Sequence, residues 1–414
     1  MTGKDLSIEM CGVQFPNPFL LSSSPVSNTA EMVARAFDQG FGGAVFKTVH
    51  AGRTKIIHPS PRMAGYDYES RKLVGLQNVE QISDRSFEDN LADISYLKRH
   101  YPDHPVIVSI MGFSEEEWGL LARGVEETGA DMLELNFSCP HMTVEGSGMK
   151  VGQAFELLEN FTRIVRENTS LPIIAKMTPN ITDITEPALY AKRGGADGIS
   201  AINTVSALVG IDPDTFIPHP NVAGKSAMSG YSGPAVKPIG LRCIAQLAQC
   251  RELSLPLSGL GGVETWVDAL EYILCGSSTV QMTTGVIHYG YGIVEDMIEG
   301  LSDFMDSKGI DSVSELVGKA LPNIHPTDAF DLDHQGVARY DLDRCIGCGQ
   351  CYIVCRDAGG QCLGWDGGKR RPIPDDEKCV SCMICSFICP VSDPPMICYE
   401  HVPGKKEIVP PVSR

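Results

Sequence analysis

The sequence predicts an α/β chain: a (β/α)8 barrel of parallel strands, followed by a small cysteine-dense domain. Three observations carry this expectation. Eight short apolar, β-rich runs alternate with amphipathic stretches between residues 19 and 285. Glycines recur where a helix would hand over to a strand. Ten of the fifteen cysteines are crowded between Cys345 and Cys398.

The eight runs are Phe19–Ser24, Ala44–Val49, Val106–Met111, Met132–Ser138, Ile173–Met177, Gly198–Asn203, Leu255–Gly259 and Thr279–Thr284. Helical stretches between them include Glu115–Thr128, Ala154–Asn168, Ile184–Arg193 and Glu264–Cys275. Continuous apolar strands alternating with amphipathic helices indicate a parallel sheet covered on its faces. Eight such units in about 270 residues match a closed barrel. A weak internal repeat agrees: Gly129-Ala-Asp131 and Gly195-Ala-Asp197 each lead into a run, and Gly40 to Gly43 and Gly276 occupy equivalent turns. An open doubly wound sheet would need G-x-G-x-x-G between an early strand and helix. The nearest match, Gly146-Ser-Gly148 with Gly152, has the wrong spacing and no strand directly ahead; it reads as part of a flexible lid, Cys139–Gly152. Connections of about 50–76, 139–152 and 204–233 are long and fall on the side where such barrels place their active sites. The expected division is 1–305 for the barrel, 306–336 for an acidic linker and 337–414 for the cysteine-dense domain.

Composition excludes several classes. The net charge of −18 repels phosphate backbones and argues against nucleic-acid binding. No apolar run approaches the roughly 18 residues of a membrane span. The first residues, Met1 to Leu6, lack a signal-peptide core, so the expected location is the cytoplasm. In a reducing compartment cysteines point to metal or catalysis rather than disulfides. The segment Glu295–His334 carries ten acidic residues against Lys308 and Lys319. Its two readings are a solvated helical face and a docking surface for a basic electron-transfer partner, and the first is preferred.

The tail carries the most specific signal. Cys345-x-x-Cys348-x-x-Cys351-x-x-x-Cys355 is followed by Cys379-x-x-Cys382-x-x-Cys385-x-x-x-Cys389-Pro390. This spacing, used twice, is the bacterial ferredoxin run for two [4Fe–4S] clusters, in which the fourth Cys crosses to the other cluster. Cys345, Cys348, Cys351 and Cys389 are therefore assigned to one cluster, and Cys355, Cys379, Cys382 and Cys385 to the second. A pair of zinc sites would use well-separated Cys pairs instead. Cys355 is followed by Arg356 where the second run has proline. Cys362 and Cys398, outside the runs, read as structural.

Polar residues end several strands: Lys47-Thr48, Asn136, Lys176 and Asn203-Thr204, with Asn78 in the loop after the second strand. A Lys at a strand end is ordinarily a solvated cap, and a lone Cys a small buried hydrophobe. Here the positions converge on one barrel face. Asparagine offers a donor and an acceptor to a planar imide such as a uracil-like ring. Ser258-Gly-Leu-Gly-Gly262 and Thr283-Thr284-Gly285 follow strands seven and eight, the phosphate-binding corner of such barrels. A flavin mononucleotide there would exchange electron pairs with substrate and single electrons with the clusters.

Asn136-Phe-Ser-Cys-Pro140, Ala175-Lys-Met-Thr-Pro-Asn180, Gly194 to Gly198, Ala201-Ile-Asn-Thr-Val205, Ser229-Gly-Tyr-Ser-Gly233 and the two cysteine runs resemble the dihydropyrimidine dehydrogenases. The likeness is to the FMN/iron–sulfur subunit of the bacterial two-subunit, NAD-dependent members. The resemblance spans essentially the whole chain. It implies an FMN-binding barrel of the dihydroorotate dehydrogenase kind and reversible reduction of the C5=C6 bond of uracil or thymine. It further implies that Cys139 is the general acid and that Asn78, Asn136, Ser138, Asn203 and Thr204 contact the pyrimidine. Ser22, Lys47, Thr48, Lys176, Gly233, Leu260, Gly261, Gly262, Thr283 and Thr284 would surround FMN. The NAD(H)- and FAD-binding half would come from a separate iron–sulfur flavoprotein in a heterotetramer or larger assembly. Two other readings stay open at this point. One is a dihydroorotate dehydrogenase, which shares the barrel, the flavin and a similarly placed cysteine but not the fused two-cluster tail. The other is a non-enzymatic electron carrier, which has no use for an acid or an amide-lined pocket.

Overall fold

The computed structural model describes residues 4–53, 55–67, 73–137, 152 and 154–405. The chain forms two units, Met1–Ile324 and His325–Arg414.

In the first unit eight parallel strands close into a barrel in simple sequence order. They are β1 (Phe19–Leu21), β2 (Gly43–Val49), β3 (Val106–Ile110), β4 (Met132–Asn136), β5 (Ile173–Lys176), β6 (Gly198–Ala201), β7 (Leu257–Leu260) and β8 (Ser277–Met282). Every one lies within or overlaps a run expected from sequence. The covering helices are α1 (Ala30–Gln39), α2 (Phe87–His100), α3 (Glu115–Glu126), α4 (Phe155–Asn168), α5 (Thr185–Gly194), α6 (Lys237–Gln249), α7 (Trp266–Leu274), the short α8 (Thr284–Tyr289) and α9 (Ile293–Lys308). Their start signals are local. Thr29, Ser86, Ser114 and Thr265 each accept a first-turn backbone N–H, at α1, α2, α3 and α7 respectively.

The core between helices and barrel is apolar, with Trp118 of α3 set between Phe137 and Phe161 at ring separations of 5.4 and 5.7 Å. Each such fully buried side chain contributes about 1.5–3 kcal/mol. An N-terminal hairpin, Ile8–Met10 paired with Val13–Phe15, meets the far end of the barrel. There Met10 is fully buried and accepts from Thr279 Oγ1 at 3.3 Å.

The Gly-Ala-Asp repeat has a structural purpose. Gly195 ends α5 in the left-handed region at φ 101°, where a side chain would be strained. Two residues on, the Asp197 carboxylate accepts from the Ile173 N–H that opens β5 (2.8 Å) and pairs with Arg166 of α4 (3.1 Å). Asp131 repeats the arrangement with the Val106 N–H of β3 (2.7 Å) and Lys98 of α2 (2.7 Å). Each aspartate thus ties a strand entrance to the helix that precedes it.

Two of the long connections build structure of their own. Val205–Ala207, Ser229–Ser232, Leu73–Asn78 and Met63–Asp67 form a four-stranded antiparallel sheet in that spatial order. The buried Gln77 amide links them, donating to Ala227 O (3.0 Å) and Ser229 Oγ (2.6 Å) and accepting from Val209 N (2.6 Å). Sequence reading expected loops here and missed the sheet.

The structure divides the chain inside the segment expected as a linker. α9 runs to Lys308 with Ile293, Met297, Leu301 and Met305 buried and its acids outward. Beyond it Val313 and Leu316 are buried in the barrel core, and Gly318 and Ala320 donate to Ile273 O and Leu274 O. The acidic composition up to residue 324 therefore belongs to the outer surface of the first unit. No described helix is long and apolar enough to cross a membrane.

The second unit is built from two antiparallel pairs, Gly336–Tyr340 with Ile397–His401 and Leu363–Asp366 with Arg371–Pro374. Short helices Gln350–Ala358 and Ile384–Phe387 lie between them in sequence.

If the aspartates anchor strand entrances, Asp131→Ala should destabilise the first unit by about 1–3 kcal/mol, the cost of a buried N–H left without its acceptor. Urea unfolding followed by circular dichroism checks this, and an unchanged midpoint would show that the strand does not depend on the anchor.

Candidate functional site

The C-terminal strand ends open into a cleft of about 1120 Å³, counted to its mouth. Lys47 and Thr48 reach it from β2, Asn136 from β4 and Lys176 from β5; Ser22 follows β1, and Asn203 and Thr204 follow β6. Leu260, Gly261 and Gly262 come from the end of β7, and Thr283 and Thr284 from the end of β8. Asn78 arrives from the antiparallel sheet, in register with Gly230 and Met63. Thirteen of the residues singled out from sequence thus line one cleft. Gly233 stands just behind it, its carbonyl 2.7 Å from where a side chain on Gly262 would start. Ser138, Cys139 and most of the expected lid lie outside the described residues.

The floor is polar and buried. Lys176 Nζ donates to Glu134 Oε1 at 3.2 Å, and Glu134 has no solvent exposure. Its other oxygen accepts from Ser200 Oγ (2.9 Å) and Gln281 Nε2 (3.4 Å). Gln281 also donates to Ser258 Oγ at 3.0 Å. A buried ion pair persists only when further hydrogen bonds satisfy both charges, and this network does so for the carboxylate. A second pair, Lys47 Nζ to Glu80 Oε1 at 2.5 Å, is also buried, and Arg62 adds a bond to the same oxygen at 3.2 Å. Burial, then the Lys47 and Arg62 cations, hold the nearby His58 below the ordinary imidazole range, so it is neutral at pH 7.

Thr48 is the hub of the amide wall. Its hydroxyl meets Ser23 (3.1 Å) and Ser109 (3.0 Å) and accepts from Asn136 Nδ2 at 2.9 Å. Asn203 Nδ2 donates to Asn136 Oδ1 at 3.4 Å. The asparagine positions are thereby set before any ligand arrives.

The residues fit a flavin mononucleotide. Gln281 Oε1, on the cleft wall, is buried and has no hydrogen-bond partner among the described residues. At the far corner Gly261 and Gly262 both have positive φ, 125° and 72°, and a side chain at Gly262 would meet the Gly233 carbonyl and Lys237. Bare backbone is therefore what the corner presents, beside the Thr284 hydroxyl that lies 3.0 Å from Ser232 Oγ. Such a turn offers N–H groups to a phosphate.

In the second unit the cysteines gather around two cavities. Cys345, Cys348, Cys351 and Cys389 line one of about 290 Å³, with Ile346, Trp365 and Met396. Cys355, Cys379, Cys382 and Cys385 line another of about 310 Å³, with Tyr340, Val380 and Cys362. The crossed partition is the one that the spacing implies. The backbone repeats as well: Gly347 and Gly349 in the first run, and Ser381 and Met383 in the second, are all left-handed, with φ between 56° and 77°. Cys345 Sγ accepts from the Gly347 N–H at 3.4 Å. Among the described residues no three His, Cys, Asp or Glu side chains close on a point suited to a single ion. Burial pushes the Cys351 thiol up to about 11 and the Cys385 thiol upward too, so cluster assembly here must release protons.

Sequence reasoning missed Glu80, Gln281, Tyr231 and Ser232 in the cleft and Cys362 in the second cavity. Gln281 did leave a signal, a lone amide inside an apolar strand run. Tyr231 and Ser232 stood inside the Ser229–Gly233 motif without being singled out, and Glu80 and Cys362 left no signal that a local pattern would reveal.

Residues 5–305 match the dihydroorotate dehydrogenase family, and residues 338–395 match the 4Fe-4S dicluster domain. The NAD-dependent dihydropyrimidine dehydrogenase subunit PreA of Escherichia coli (strain K12) is 52% identical over 392 residues, covering 94% of this chain and 95% of the relative. The chain belongs to the dihydropyrimidine dehydrogenase family. The chloroplastic dihydropyrimidine dehydrogenase (NADP(+)) of Arabidopsis thaliana is 42% identical, covering 77% of each chain. The catalytic subunit of dihydroorotate dehydrogenase B (NAD(+)) from Pyrococcus abyssi is 39% identical; 99% of it is matched by only 76% of this chain. That relative is used up at about barrel length, whereas the dihydropyrimidine dehydrogenase subunit continues through most of the chain.

The buried Lys176 and Glu134 charges depend on one another. Glu134→Gln should lower stability by about 3–5 kcal/mol by leaving Lys176 uncompensated, and the pair Glu134→Gln with Lys176→Met should regain most of the loss. Urea midpoints of parent, single and double variants test this; a double variant no more stable than Glu134→Gln would refute it.

Proposed function

We propose that this chain is the pyrimidine-reducing subunit of an NAD-dependent dihydropyrimidine dehydrogenase, acting reversibly on the C5=C6 bond of uracil or thymine. The observation that carries the reading is the cleft itself. An amide wall of Asn78, Asn136 and Asn203 faces the same space as a bare glycine corner suited to a phosphate. FMN, when bound, supplies hydride exchange with substrate and single-electron exchange with two [4Fe–4S] clusters. Ser22, Lys47, Thr48, Lys176, Gly233, Leu260, Gly261, Gly262, Thr283 and Thr284 would hold it.

The asparagines orient a planar imide because each amide offers both a donor and an acceptor. Asn136 is held by Thr48 and Asn203 by Asn136, while Asn78 is held by its sheet register, so little reorganisation is needed on binding, which is where positioned groups gain their effect. Lys176, fixed by Glu134, keeps a positive charge at the cleft floor, where negative charge is stabilised most strongly in a water-poor site. Cys139 follows Asn136 by three residues and is the proton donor to C5 in this reading. An unperturbed thiol, with pKa about 8.5, is mostly protonated at neutral pH and can serve as an acid. Asn78, Ser138 and Thr204 complete the contacts to the ring.

Electrons from NADH would enter through a separate flavoprotein. Two findings support this: the E. coli relative is named as a subunit, and the sequence has no strand–G-x-G-x-x-G–helix unit.

Cys139→Ala should keep its flavin and iron while turnover falls by roughly 10² to 10⁴, the usual contribution of a positioned acid. Turnover of uracil within a few-fold of the parent would place the acid elsewhere. The purified chain should reduce a dye with dihydrouracil yet be inert toward NADH until the partner is added. NADH oxidation coupled to uracil by this chain alone would sink the two-subunit reading, and reduction by dihydroorotate in place of dihydrouracil would sink the substrate assignment.

A further inference from the structure

The two cysteine-lined cavities are unequal. The first is lined by four thiols and the second by five, the fifth being Cys362. A [4Fe–4S] cluster takes four protein thiolates, so one sulfur at the second cavity is surplus. Cys362 is buried, at 8% exposure, and its Sγ lies 3.6 Å from that of Cys355. A buried cysteine can serve as a small hydrophobe, as Val380 does at the same cavity, but Cys362 differs in bringing a sulfur beside that of a cluster cysteine.

The chain is shaped to bring it there. After the helix Gln350–Ala358, the Gly359 and Gln361 N–H groups both return to the Cys355 carbonyl, at 3.2 and 3.1 Å. Gln361 takes a left-handed conformation, φ 54°, to make the reversal. The Cys362 carbonyl is then held by the Asp375 N–H at 2.8 Å, which fixes its backbone beside the second run. The reversal occurs after the one crossing cysteine that lacks a following proline, since Arg356 stands where Pro390 stands after Cys389.

We infer that Cys362 is a reserve ligand for the second cluster, able to close the corner that Cys355 occupies. The inference rests on reading the two cavities as [4Fe–4S] sites. The 3.6 Å separation is on the scale of one staggered rotamer step, so a side-chain rotation suffices to present either sulfur. The exchange balances without an oxidant or reductant. The iron–sulfur bond to Cys355 breaks as that to Cys362 forms, and the proton leaving the Cys362 thiol goes to the released Cys355 thiolate. Cluster charge and electron count are unchanged. A corner with two interchangeable thiols keeps its iron when one of them is oxidised or alkylated.

The test uses the full chain, prepared anaerobically, with iron per flavin and electron paramagnetic resonance of the reduced protein as readouts. The parent should hold about eight irons. A parent without iron would overturn the cluster reading itself, before any variant is compared. Cys355→Ala and Cys362→Ala should each keep about eight irons and the spin coupling of two clusters, while the double variant falls to about four with one uncoupled signal. Cys382→Ala, at a corner with no such neighbour assigned, should lose iron as the double variant does. Retained flavin and the first cluster's signal report that the fold is intact. Cys355→Ser gives an independent reading by resonance Raman, where all four terminal ligands should remain sulfur. The inference is overturned if Cys355→Ala loses as much iron as Cys382→Ala, if the double variant keeps eight, or if Cys355→Ser shows oxygen ligation.

Discussion

A carboxylate with no access to solvent sits inside the barrel at Glu134, 3.2 Å from the ammonium of Lys176, and much of the cleft is arranged around keeping that pair. Removing two charges from water costs several kcal/mol per ion, and mutual attraction recovers it only where the remaining lone pairs are satisfied. The closed barrel makes this possible. Inward-facing positions on neighbouring strands share one level, so Ser200 of β6, Ser258 of β7 and Gln281 of β8 can reach across to complete the network. The result is a cation held at the bottom of the cleft by the fold rather than by solvent.

Around that floor the remaining chemistry is divided among separate pieces of backbone. The ends of β2 and β4 supply Thr48 and Asn136, already bonded to one another. The ends of β7 and β8 supply the glycine corner. The wall opposite comes from the antiparallel sheet, which the barrel does not require and which Gln77 ties together from three stretches of chain. Loops of that length would be poor positioning devices if left irregular. Pairing them into a sheet gives Asn78 a fixed register against Gly230 and Met63.

The second unit solves a different problem. Its apolar core is small, with Val337, Ala338, Leu363, Met396 and Ile397 among its few buried aliphatic side chains, and the rest of the core is cysteine. A core of that kind draws stability from what the thiolates bind, because metal binding and folding are linked. Repetition of the left-handed positions in both runs shows one loop geometry used twice, with the Cys355 corner as its departure.

The eight barrel strands, the helices α3, α4, α5 and α7 and the partition of cysteines were legible in the sequence because each rests on a local property: apolar run length, amphipathic character and ligand spacing. The strand-end residues Lys47, Asn136, Lys176 and Asn203 were legible for the same reason, once the barrel supplied a common face. What the sequence could not disclose is contact between residues far apart along it. Glu80 meets Lys47 across 33 residues and Gln281 meets Glu134 across 147, distances that only the closure of the barrel and the folding of its loops cancel. Asp197 shows the boundary between the two. Its Gly-Ala-Asp pattern was visible as a repeat, but its purpose appeared only when the strand entrance and Arg166 were seen beside it. Cys362 shows it too, since nothing in its spacing marks it as a ligand. Its place beside Cys355 is decided by a backbone reversal at Gln361 and a hydrogen bond from Asp375, and those are properties of the folded chain alone.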